Sequence, residues 1–409
     1  MSNIKEFKAL RPKKNLVKKI AELPYDVVTS EEARKIAYEN QYSFFHISKP
    51  EIDLSPEVNI YDDIVYETGR KNLTKFIEKG YFLQDKKPAL YLYSQIMNGK
   101  QQNGLVACVS IDDYVSNRIR KHELTRKDKE RDRTRHIECL NAQTGPVFLF
   151  YKKNSSKKIL YEKALRIKPV YDFIASDGIR HLVRVIDDSV LIDAFKKSFV
   201  HDIFYIADGH HRAASATNVA LNRRKINPSY TGNEEFNWFL AVIFPHDQLQ
   251  ILAYNKAVKD LNGRTKEEYL SKISQNFTLK KTGIKSPQAL HQFSMYLDSE
   301  WYTLVPAFNI SNDPIDSLDV QILQNMLLDP VLGIKDPRTD QRINFIGGIR
   351  GTQELERLVD SGEYQVAFSL YPTSIEQLIA VADADKIMPP KSTWFEPKLR
   401  SGLFVHLLD

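Results

Sequence analysis

Five consecutive residues, Asp208-Gly209-His210-His211-Arg212, bring together a carboxylate, a glycine, two imidazoles and a guanidinium. The apolar run Ile203-Phe204-Tyr205-Ile206-Ala207 just before them reads as a strand, and a helix is expected from about Ala213 to Arg223. Strand, glycine, basic cluster and helix in that order make a phosphate-binding turn. Gly209 permits positive φ and lets a ligand approach the backbone. The first amides of the helix have no intrahelical acceptor and carry partial positive charge. Arg212 adds paired, charge-assisted donors, with His210 and His211 beside it. The competing reading is that the histidines are surface or capping residues. A metal centre is the poorer reading, since adjacent histidines rarely converge on one ion and no Glu-x-x-His stands nearby; no metal ligand is assigned.

A second concentration of chemistry lies in Arg118–Glu138, where nine basic residues alternate with Glu123, Asp128, Glu130 and Asp132. Much of it reads as a solvated helix laced by pairs such as Glu123–Lys127 and Glu130–Arg133. On such a helix Lys129, Asp132, Arg133 and His136 share one face, with His122-Glu123 at its start. A cationic face with one carboxylate is what a phosphoryl donor and an acceptor hydroxyl need. No Phe, Tyr or Trp interrupts the run to stack on bases, which argues against nucleic acid. Near the C-terminus, Pro389-Pro390-Lys391-Ser392-Thr393-Trp394-Phe395-Glu396-Pro397-Lys398 offers lysines and hydroxyls that could wrap an anion, or a tail that docks Trp394 and Phe395 into a core. It lacks the glycine spacing of a Walker loop.

The Asp-Gly-His-His-Arg turn is similar to the motif of the ParB/sulfiredoxin superfamily, including its free-serine kinases, in which it binds nucleotide phosphates. Over nearly its full length the chain resembles the family called domain of unknown function ten-fifteen. The blocks are Pro24-Tyr25-Asp26-Val27, His122-Glu123-Leu124-Thr125 with Lys129 and Asp132-Arg133, Ile206 to Arg212, Leu332-Gly333-Ile334, and Met388 to Lys398. The superfamily resemblance implies an ATP- or ADP-dependent phosphotransferase acting on a small hydroxylated metabolite, free L-serine first, with Mg2+ as counter-charge. Gly209, His210, His211 and Arg212 would hold the phosphates, with Lys129, Arg133, Lys391, Ser392, Thr393 and Lys398 adding charge and donors. Glu123 would take the acceptor proton, with His122 beside it and Asp26 and Asp208 as rivals. Tyr25, Asp26 and Thr125 would line the acceptor. Sulfiredoxin chemistry would need a cysteine where the turn has histidine, and a DNA clamp would need a helix-turn-helix beyond Arg223, where Pro228 and a polar loop stand instead. The alternative is a nucleotide- or metabolite-binding regulator without turnover.

The elements that must position these residues read as a mixed α/β protein, with a ParB/sulfiredoxin-like core and further α/β subdomains. The chain has 409 residues, too many for one ordinary core. Its segments are expected as an N-terminal α/β region (1–115), a core holding the charged helix and the turn (116–262), a small inserted subdomain (263–310) and a C-terminal region completing the core (311–409). Ser30 or Thr29 should cap a helix through Ile36; 60–79 should be a helix, and 89–95 and 105–110 a hairpin joined by a polar turn over 98–104. The subdomain reads as helix 267–273, strand 277–281, helix 288–297 and strand 301–305. A net charge of +6 is modest for this length and fits anionic small molecules as well as polymers. Two distant cysteines, no signal-like N-terminus and no bilayer-length apolar run lead to an expectation of a cytoplasmic protein. Expected partners are a nucleotide and a small substrate, with no membrane and a homodimer left open.

Overall fold

The computed structural model describes residues 3–409. Its contacts divide the chain into two compact units, one running to Leu249 and including Pro397–Asp409, the other Gln250–Glu396. No helix among the described residues is long and apolar enough to cross a membrane.

In the first unit Thr29 is the cap of helix α1 (Ser30–Ala37), and Glu32 completes a capping box by bonding back to the Thr29 amide. Helix α2 (Asp63–Glu78) follows, ending two residues before Gly80, which has φ 65°. Strands β1 (Leu90–Met97) and β2 (Lys100–Ser110) are longer than the sequence pattern implied. Asn98 and Gly99, at φ 51° and 78°, form the two-residue turn with both central positions left-handed that matches strand twist, so most of the expected polar turn is strand. Gly104 lies in that stretch, where a β-carbon would meet Val242 Cγ1 at 2.4 Å.

These strands join β3 (Ile119–Arg120), β4 (Val147–Tyr151), β5 (Tyr171–Ile174), β6 (Arg180–Ile186), β7 (Phe204–Asp208) and β8 (Trp238–Pro245) in the order β3-β7-β4-β8-β2-β1-β6-β5, with Ile4–Lys5 added on β2. Two neighbouring pairs, β3 with β7 and β4 with β8, are parallel and the rest antiparallel, so the sheet is mixed. Helices α3 (Lys127–Leu140), α4 (Ser189–Phe199) and α5 (His210–Ile226) accompany it. Ala213, Ala216 and Ala220 of α5 are buried against Leu149, Ile206 and Ala241, and their small side chains let the helix sit close to the strands. The charged segment is thus a short strand, a loop and then α3, rather than one helix from Arg118.

The second unit has a six-stranded sheet. Strand β9 (Tyr254–Val258) pairs with β13 (Ile343–Gly347) and β14 (Val366–Leu370), and β10 (Phe277–Lys281), β11 (Phe293–Leu297) and β12 (Glu300–Pro306) continue beyond β14 in the order β10-β12-β11-β14-β9-β13. Strands from 263–310 and from 311–409 therefore share one sheet. The helix expected over 288–297 is instead β11. Phe293, Met295 and Leu297 alternate at period two, and Asp298 and Ser299, at φ 51° and 58°, turn the chain back into β12. Helix α6 (Lys266–Ile273), the short α7 (Asp319–Leu323) running into a π-helical turn at Gln324–Leu328, α8 (Gly351–Asp360) and α9 (Ile375–Asp383) complete the unit. Its two ends clasp each other: Gln250 pairs with Glu396, Ile251 with Phe395 and Leu252 with Trp394.

Candidate functional site

Strand β7 delivers the chain to the turn through a register shift between Ile206 and Asp208. Gly209 then adopts φ 97°, as anticipated, and caps α5 without any side-chain cap, so the helix presents bare amides. The helix begins at His210, three residues earlier than its sequence pattern placed it. That changes the geometry of the cluster. Successive helical residues point about 100° apart, so His210, His211 and Arg212 fan out rather than converge.

His210 turns toward the loop after β3. The parallel register of β3 and β7 (Ile119 with Phe204, Arg120 with Tyr205) carries His122 and Glu123 alongside the end of β7. The His122 and His210 rings meet edge to face at 4.5 Å, and Glu123 Oε2 lies 3.9 Å from His210 Nδ1. One donor atom from each of these three residues lies within 4.8 Å of the other two. Burial brings His122 down to about 4, with Asp208 opposing, and burial with the neighbouring His122 pushes His210 well below its ordinary value. Both imidazoles are therefore neutral, and His210 Nε2 is buried without a hydrogen-bond partner. Each residue stood out in the sequence, but their convergence did not, because it depends on a two-residue parallel pairing.

His211 faces the other way. Its Nε2 accepts the Arg126 amide at 3.0 Å, latching the loop before α3 onto the turn, and burial lowers its pKa. Thr125, expected beside the acceptor, donates to Glu130 Oε2 at 2.7 Å in that loop.

Arg212 is buried. Its Nη1 donates to the Pro146 carbonyl, its Nη2 lies 3.6 Å from Asp208 and 4.0 Å from Asp26, and its Nε has no partner. The guanidinium lies against Gly209, where a β-carbon would come within 3.0 Å of Nε. Lys398 reaches the same carboxylate at 3.2 Å. Burial alone would raise the Asp208 pKa, but the charges of Lys398 and Arg212 outweigh it and hold the carboxylate well below its ordinary value. Tyr25 packs here too: the Arg133 guanidinium lies 4.3 Å from its ring, and burial raises its phenol. Tyr25, Arg133, Thr144, Gly145, Arg212 and Ser401 enclose a cavity of about 30 Å³, room for about one water and too small for a phosphate. The Thr144-Gly145-Pro146 run is a part of this site that the sequence marks only by its turn composition.

The remaining candidates are distributed differently. Arg133 pairs with Asp132 at 2.9 Å and donates to the Ser48 carbonyl. Lys129 donates to the Tyr61 hydroxyl at 3.1 Å. His136, placed on the cationic face by its spacing, is buried, bonded to the Ile47 carbonyl and neutral, with burial bringing it down to about 3. Lys391, Ser392 and Thr393 belong to the second unit. There Ser392 donates to the Pro389 carbonyl at 2.6 Å, Lys391 lies over the Tyr254 ring, and Trp394 packs edge-on to Tyr254.

A family model described as "Protein of unknown function (DUF1015)" matches residues 4–321. No functionally curated protein matches the chain. Among solved structures, a free serine kinase in complex with AMP is 12% identical, covering 71% of this chain and 86% of its own, with a TM-score of 0.36. SbnI with a C-terminal truncation, from Staphylococcus aureus, is 12% identical over 74% of this chain and 87% of its own, with a TM-score of 0.39. A conserved hypothetical protein from Pyrococcus furiosus is 11% identical over 74% and 95%, with a TM-score of 0.36. The chain belongs to the DUF1015 family.

Proposed function

We propose that this member of the DUF1015 family is a nucleotide-dependent phosphotransferase acting on a small hydroxylated metabolite, with free L-serine the first acceptor to test. The observation that carries the reading is the bare amide end of α5 behind Gly209, flanked by the buried cations Arg212 and Lys398. An anion would be stabilised there by the helix end and by the positive charge that Asp208 leaves unbalanced between the two cations. The similarity of Asp208–Arg212 to the turn of nucleotide-binding superfamily members supplies the ligand class.

The rim of this end is acidic. Glu123, Asp26 and Asp208 side chains are 42, 35 and 27% exposed. A phosphate facing three carboxylates needs a cation between them, which suits a nucleotide that arrives with Mg2+. Magnesium takes oxygen ligands in octahedral geometry, so phosphate oxygens, water and the carboxylates of Glu123 or Asp26 suit it. The two imidazoles at 122 and 210 suit softer ions and are not assigned to magnesium.

Asp208 is a poor base, because Lys398 and Arg212 depress its proton affinity. It orients the two cations. Glu123, next to neutral His210, is the group we assign to the acceptor proton. Tyr25 and Asp26 would line the acceptor.

The test is incubation of the purified protein with L-serine, Mg2+ and ATP or ADP, followed by detection of O-phosphoserine. Arg212→Ala should weaken nucleotide binding by about 1.5–3 kcal/mol, and Glu123→Gln should lower turnover while leaving nucleotide binding intact. Turnover unaltered by both variants would remove the site. Saturable nucleotide binding in calorimetry without a phosphorylated product across a panel of hydroxylated metabolites would favour the regulator.

A further inference from the structure

Lysine in the interior of a sheet must have a reason, because burying an ammonium without a partner is costly. Lys256 is such a residue. It lies in the middle of β9, paired across to Phe345 on one side and Phe368 on the other, and only 3% of it is exposed. Its neighbour Ala257 faces the cluster formed by Tyr296, Ile346, Leu355 and Leu358, so strand alternation sends Lys256 to the opposite face. There its ammonium lies 5.5 Å from the Phe345 ring, with no hydrogen-bond partner. Burial alone brings its pKa down to about 7.

That face carries a cavity of about 370 Å³, lined by Lys256, Val320, Gln324, Lys335, Asp336 and Met388, among others. The volume is that of a small-molecule site. A second orphaned polar atom lines it. Gln324 opens the π-helical turn, a departure from α-helix common at functional positions. Its Nε2 donates to the Ile334 carbonyl at 2.7 Å, which fixes the amide orientation and leaves Oε1 buried without a donor. One cavity of the second unit thus holds a buried amine seeking an acceptor, a buried carbonyl seeking a donor, and apolar walls from Val320 and Met388. Arg338 is held by Asp336 at 2.9 Å, whereas Lys335 is exposed at the rim.

We propose that this cavity binds a small monocarboxylic acid that also carries a hydrogen-bond donor, an α-amino or α-hydroxy acid, with its carboxylate on Lys256 and its donor group on Gln324. One ammonium balances one carboxylate, and a single orphaned acceptor takes a single N–H or O–H. The apolar wall favours an aliphatic or thioether side chain. A phosphate dianion would demand more buried donors than the one amine supplies.

The experiment is a thermal-shift and calorimetric screen of the full chain against the proteinogenic L-amino acids and a set of 2-hydroxy monocarboxylic acids such as lactate, 2-hydroxyisovalerate and 2-hydroxyisocaproate. At least one aliphatic member should stabilise the protein. Lys256→Met keeps the volume and removes the amine: the free protein should melt no lower than the wild type, and the ligand-induced shift should vanish. Gln324→Ala should weaken binding by roughly tenfold. Arg212→Ala, in the other unit, should leave the response intact, which separates this cavity from the site on α5. No response from any compound, or a response that survives Lys256→Met, overturns the proposal.

Discussion

Gly209→Ala tests the architecture of the turn most directly. At φ 97° a β-carbon costs about 1–2 kcal/mol in backbone strain alone. It would also stand 3.0 Å from Arg212 Nε and 3.1 Å from Cζ, so the guanidinium must give by a few tenths of an ångström. That shift weakens its charge-assisted bond to the Pro146 carbonyl, whose full worth of about 1.5–3 kcal/mol is the upper limit of the loss. The two effects together give a loss above the strain alone and of up to roughly 5 kcal/mol. A double-mutant cycle separates them. In an Arg212→Ala background the clash is gone, so Gly209→Ala should cost only the strain, about 1–2 kcal/mol. The readout is urea unfolding monitored by hydrogen exchange of the 204–226 segment, which isolates this unit from the other. Equal costs in both backgrounds would refute the contact between guanidinium and turn, and a cost near zero in the wild type would refute the strained glycine as well.

Removing the Asp208 carboxylate should reshape the acid limb of stability. Its folded pKa lies below its ordinary 3.8, so it stabilises the fold above that pH and the contribution fades as pH falls below it. Asp208→Asn should destabilise the protein at neutral pH by roughly 1–3 kcal/mol, since it strands two buried cations, and flatten the loss below pH 4 in unfolding curves. His122 acts in the same direction in a higher window: its folded value of about 4 lies below 6.5, so the unfolded chain protonates first and stability is lost as pH falls from 6.5 toward 4. Imidazole NMR should find it neutral at pH 6, and His122→Asn should flatten that window. Gly104→Ala pushes a methyl against Val242 and Phe244 and should cost about 1–3 kcal/mol in thermal or urea unfolding.

The turn was legible because everything it needs is contiguous: an apolar strand, a glycine and a helix in sequence order. Its start was misjudged because His210 and His211 are weak helix formers by propensity, whereas here the bare helix end begins with them. Lys398 was legible as a candidate cation, but its pairing with Asp208 bridges residues 190 apart in sequence and needed the fold. The strand at 293–297 was hidden by Asp298-Ser299, a left-handed turn without the Asn-Gly signature that marks Asn98-Gly99. Lys256 went unnoticed because Asn255 and Lys256 interrupt the apolar run that would have announced β9, and a charge in a short strand normally argues for solvent.

The clasp between Gln250–Leu252 and Trp394–Glu396 bears on how such a chain is assembled. Bringing Leu249 and Pro397 together through an unstructured connection of that size would carry a substantial loop-closure entropy. Once the intervening unit has folded, its own antiparallel clasp holds the two departure points side by side, and that entropy has already been met. The inserted unit is therefore a self-closing cassette along the chain: a short flexible linker joining Leu249 to Pro397 should preserve the sheet topology of the first unit, including the arrival of Lys398 at Asp208.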